Sequence, residues 1–245
     1  WAQLVHWGLG ILLVLATVTL ATPLLGRSWA WLAGGLVVLT PAINRQMSLP
    51  VESVALAALC TLALAAWWQA VIHGADSRWF VVAGLAAGGA LGIHYSAVLL
   101  VMVLAITWAW AAFHHVEQRR FLLQGGTIAT LIAAGVGALA SLPAMWSAAI
   151  HAQNDAARLS SAAALPDHLG IVLLAAAPGV LLARRLRGLG AVLSAALVYA
   201  VFAFSLSGDA RLLFPAAPLL SVAAVWVWIE LRRFPQPARR AATAA

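Results

Sequence analysis

The sequence predicts an all-α, polytopic transmembrane helical bundle of about nine spans, on three observations. Of 245 residues, 64% are hydrophobic and only 9% charged, with a mean hydropathy of +0.97, which ordinary soluble domains do not approach. Charged clusters cut the chain into apolar stretches near the roughly 20 residues that cross about 30 Å of hydrocarbon. The basic residues, 14 Arg and no Lys, are distributed one-sidedly over the intervening loops.

The expected spans run 4–22, 29–43, 51–72, 79–93, 96–113, 121–146, 169–183, 190–206 and 212–231. Arg27 separates the first two, and Arg45 closes the second. The third opens at SLPVES, where Pro50 and then Glu52 suit a helix start. Asp76 and Arg78 precede the fourth, the turn IHYS joins it to the fifth, and HHVEQRR leads into the sixth. A polar segment of about 147–168 is expected as an external loop, and ARRLR divides the seventh span from the eighth. SGDAR introduces the ninth, with Pro215 in its first turn. Residues 1–231 thus form a single transmembrane domain, and 232–245 a short inward-facing basic tail.

With the N-terminus outside, alternate loops place eleven arginines on one side and only Arg45, Arg158 and Arg211 on the other. That is the positive-inside pattern. The formal charge of +7 therefore reports topology and contact with anionic membrane lipid, and nucleic acid is not an expected partner. Tryptophans near span ends, among them Trp29, Trp67, Trp108 and Trp228, are expected as an interfacial belt. Gly84, Gly88 and Gly92 stand four apart in GLAAGGALG. The string is superficially similar to a dinucleotide-binding loop, but it lies inside an apolar span and follows no strand, so close helix packing is expected instead. Cys60 has no cysteine partner and reads as packing.

Ionisable groups at membrane depth are costly unless paired or hydrated, so they mark where chemistry belongs. On the inward side, solvated loops and ion pairs account for Asp76, Glu117 and Glu230. On the outward side, three span ends stand out: Arg45 with Glu52, His94 with Tyr95, and Asp209 with Arg211. Each has a plainer reading: helix capping, an interfacial His and Tyr, and a surface ion pair. His151 and Asp155 stand at i, i+4, but two ligands make a weak metal site, and no metal or other cofactor is expected. No standard hydrolase, protease or nucleotide-binding motif occurs.

In order along the chain, three blocks resemble the GT-C class of polyprenyl-phosphate-sugar-dependent membrane glycosyltransferases, in particular the protein mannosyltransferase and aminoarabinose transferase families. They are WLAGGLVVLTPAINRQMSLPVESVALAALCTLALAAW, RWFVVAGLAAGGALGIHYSAVLLVMVLAITWAW and SGDARLLFPAAPLLSVAAVWVW. The resemblance covers most of the chain. It implies transfer of a sugar from a lipid phosphate carrier to an acceptor on the outer face, in a bacterial plasma (inner) membrane.

By the same resemblance, Arg211 contacts the donor phosphate, and His94 stands where the family often has a Lys. Arg45, Glu52, Tyr95 and Asp209, at the outward span ends, are expected to line the outward cavity, and the resemblance gives Glu52 a supporting role there. The family's catalytic carboxylates follow its first span, whereas the first span here matches the family's second. The general base is therefore expected upstream of Trp1, in keeping with a start, WAQLVHWGLG, that has neither an initiator Met nor a basic leader. The alternatives are a transporter or lipid flippase, with Gly/Pro-interrupted spans along a substrate path, and a noncatalytic subunit of a membrane complex.

Overall fold

The computed structural model describes residues 2–41, 43, 52–73, 76–94, 97–114, 116–151 and 215–233, which form helices without a single strand among them. In chain order these are α1 (Ala2–Leu25), α2 (Arg27–Leu39), α3 (Glu52–His73), α4 (Arg78–Ile93), α5 (Ala97–His114), a short 3-10 turn (Val116–Gln118), α6 (Arg119–His151) and α7 (Ala216–Arg233). Three of them are long and apolar enough to cross a membrane, over Gln3–Leu25, Ser53–Val71 and Arg119–Ala140. The expected spans 169–183 and 190–206 lie outside the described residues. α6 continues to His151, past the expected end at 146, because the alanine-rich SAAIH favours helix and holds no breaker.

The surface and interior are reversed relative to a water-soluble protein. Leu4, Ile11, Leu15, Ile106, Phe113 and Leu131 are exposed, whereas the interior is built largely of alanine, including Ala63, Ala66, Ala83, Ala87 and Ala90. Small residues let helix backbones approach where lipid supplies no hydrophobic drive between helices, and the large apolar side chains then face the acyl chains. Buried hydroxyls are satisfied within their own helices: Thr17, Thr61 and Ser221 donate to the carbonyls of Leu13, Ala57 and Ala217 at 2.7, 2.7 and 2.9 Å.

The glycine stripe seats α4 directly on α6. A Cβ added to Gly84 would lie 2.6 Å from the Ala129 carbonyl oxygen, and one on Gly88 would lie 2.7 Å from Val136 Cβ and 2.8 Å from the Ala133 carbonyl oxygen. Gly92 meets Ala140 in the same way. Contacts that climb together along both helices make the pair parallel. Beside them, Phe80 packs edge-on between Trp67 and Phe121, at centroid distances of 5.4 and 5.5 Å. Trp67 thus departs from the expected interfacial belt. It is only 6% exposed, and its indole N–H donates to Thr107 Oγ1 at 3.0 Å. Its place near a span end gave no indication of which way the ring turned.

α1 and α2 form a hairpin at Gly26, whose φ of 80° and ψ of 159° lie in a region open essentially to glycine. No atom lies within 4 Å of a Cβ placed there, so the constraint is purely conformational. Gly26→Ala is expected to destabilise the protein by about 1–3 kcal/mol. Thermal unfolding in detergent checks this, with Gly35→Ala, also free of neighbours within 4 Å, expected to be neutral or slightly stabilising.

One further departure concerns Pro23, which lies inside α1 and lacks the N–H that would bond the Thr19 carbonyl. The Gln69 side-chain amide of α3 donates to that carbonyl at 3.5 Å. The helix therefore passes through the proline and stops at Gly26.

Candidate functional site

Successive helices alternate in direction, so their ends sort into two groups. Arg232, in the last turn of α7, lies over the ring of Trp29 in the first turn of α2, while Ala217 at the start of α7 joins a buried cluster with Val37, Ile43 and Ala57. The starts of α1, α3, α5 and α7 therefore share one end of the bundle with the finishes of α2, α4 and α6. All six arginines among the described residues, Arg27, Arg78, Arg119, Arg120, Arg232 and Arg233, belong to the opposite end. Asp76 is there too, 3.5 Å from Arg78, in an exposed ion pair of small energetic weight.

The end that holds none of the described arginines carries those expected site residues that the structure describes. Glu52 is the first residue of α3, and His94 follows the last residue of α4. His94 leaves the helix in extended geometry, with φ −154° and ψ 138°. Its N–H donates to the Ala90 carbonyl at 3.1 Å, and its own carbonyl accepts from Ala97 at 3.1 Å, so the imidazole is carried on a tight, hydrogen-bonded join between α4 and α5. The side chain is half-buried. Arg45, Tyr95, Asp209 and Arg211 lie outside the described residues. In sequence, Arg211 stands five positions before Ala216, where α7 starts at this same end.

His6 was not among the expected site residues. It is 5% exposed on α1, and the register of α1 against α3 places it level with α3's first turn: Leu13 shares a cluster with Ala57, and Thr19 meets Gln69. Ser53, next to Glu52, is buried at that level. The signal was present in the sequence as an imidazole within an apolar span, which marks a candidate position by its cost alone. Among the described residues, no group of three or more His, Cys, Asp or Glu gathers at metal-binding distance. This end thus carries a half-buried imidazole at His94, a buried one at His6 and the acidic helix start at Glu52, all of them hydrogen-bonding groups. No family model, curated protein or solved structure matches the chain.

Proposed function

We propose that the chain is part of a membrane glycosyltransferase of GT-C architecture with about nine spans. It moves a sugar from a polyprenyl-phosphate carrier to an acceptor on the outer face of a bacterial plasma membrane. The observation that carries this reading is the sorting of helix ends: all three family-like blocks lead to one end of the bundle. α3 starts there with Glu52, α4 finishes there at His94, and α7, which follows SGDARLLF, starts there. The arginines at the other end then face the cytoplasm.

On this reading, an acceptor hydroxyl oxygen forms the new bond to the anomeric carbon as the bond from that carbon to the phosphate oxygen breaks. The hydroxyl proton passes to a carboxylate base in the family's first outward loop, and the electron pair leaves on the polyprenyl phosphate. Arg211 and His94 hold that developing charge, and Glu52 supports the cavity wall.

The test is transfer of labelled sugar from a polyprenyl-phosphate donor by membranes containing the full-length protein. His94→Ala is expected to raise the donor concentration needed for half-maximal transfer, and His94→Lys, which restores the family's residue, to bring it back. Equal activity in wild type and His94→Ala removes His94 from the site. No transfer by the wild-type protein with any polyprenyl-phosphate sugar removes the reading itself.

A further inference from the structure

At the arginine-bearing end, α2 and α7 come together around a single guanidinium. Arg232 lies 5.5 Å from the centroid of the Trp29 ring and 5.0 Å from that of Trp228, four residues earlier on α7. Two indole faces hold the cation at a fixed place on the rim, through the attraction between a cation and the negative face of an aromatic ring. Glu230 shares the turn of Arg232, while the adjoining first turn of α2 carries Arg27 and no acidic residue. The net charge of this corner is positive, and its orienting contacts are aromatic.

The surface one turn toward the middle of the bundle is apolar and exposed. Leu32, three residues after Trp29 on α2, is 45% exposed, and Trp228 is 50% exposed. A fixed cation above an apolar strip matches a ligand with an anionic head and a hydrocarbon body; a free phosphate would use the first part only. Indole rings also favour the headgroup level of a bilayer, where a lipid phosphate lies.

We infer that Arg232, held by Trp29 and Trp228, forms a binding site for one anionic phospholipid of the leaflet that the arginine-bearing end faces. The site lies at the opposite end from the proposed transferase centre and does not rest on that reading. Its ligand is structural, seating the α2–α7 corner in the membrane.

The test uses the full chain in nanodiscs of phosphatidylcholine with an increasing fraction of phosphatidylglycerol, and counts co-purifying lipid by native mass spectrometry. Wild type is expected to retain phosphatidylglycerol preferentially. Arg232→Gln is expected to lower that retention about fivefold, the worth of one arginine at an anionic surface. Trp228→Leu is expected to lower it in the same direction by releasing the guanidinium. Arg120→Gln, exposed at the same end on α6 but without the two indole faces, is expected to lower it distinctly less. Retention unchanged in both Arg232→Gln and Trp228→Leu overturns the site. An equal loss in Arg120→Gln overturns it too, since diffuse charge would then suffice. Displacement of the lipid by inorganic phosphate at equal concentration reduces it to a simple anion contact.

Discussion

Arg211→Ala in the full-length protein is expected to lower sugar transfer from a polyprenyl-phosphate donor by roughly a hundred- to a thousandfold, the range seen when one donor to a developing anion is removed. The expectation follows from the proposed role. The charge on the leaving phosphate grows as the glycosidic bond breaks, so a guanidinium aimed at it contributes more in the transition state than in the ground state. Arg suits this task because its planar fork meets two phosphate oxygens at once, which a lysine ammonium does not. Arg211→Lys is therefore expected to recover only part of the rate. Membrane insertion is expected to be unaffected, since the arginines that set orientation collect on the other side. The measurement is transfer per unit of inserted protein, and a rate within twofold of wild type would contradict the phosphate role.

The second large effect is structural. Gly88→Leu is expected to destabilise the bundle by about 3 kcal/mol or more, at and beyond the upper end of the usual cost of overpacking. Its first added carbon already falls 2.8 Å from a backbone carbonyl oxygen of α6, which cannot rotate away as a side-chain tip can. α4 and α6 must then separate, and the contacts at Gly84 and Gly92 go with them. Gly135→Ala on α6 serves as the comparison, because its added Cβ meets no neighbouring helix or side chain within 4 Å. Unfolding by SDS titration distinguishes the two variants. Equal midpoints would mean that the stripe is not a contact surface.

Helix positions were legible where the apolar length and its charged borders coincide, as in α3 and α4, which follow the expected 51–72 and 79–93 to within a residue. The spacing of Gly84, Gly88 and Gly92 likewise indicated a packing face, since residues four apart stack on one side of a helix. What a pattern does not encode is the partner: that α6 rather than α5 lies along the stripe depends on the three-dimensional closure of several hairpins. Trp67 was misplaced for the same reason, its direction being set by Thr107 and Phe80 on other helices. At the candidate site, Glu52 and His94 were indicated by their positions at span ends. His6 lies within a span and not at its end, and its burial comes from α1 lying beside α3, a fact of assembly.

The bond from Gln69 to the carbonyl freed by Pro23 also bears on how α1 and α3 are keyed together. A proline alone leaves an acceptor without its donor, and a glutamine alone brings an amide that lipid cannot satisfy. Each cancels the other's defect only at one longitudinal setting. Sliding either helix by a turn would strand both groups, so the pair acts as a tooth and notch that fixes how far α1 travels along its neighbour. Together with the packing of Leu13 in the cluster that holds Ala57, this setting keeps His6 level with the start of α3.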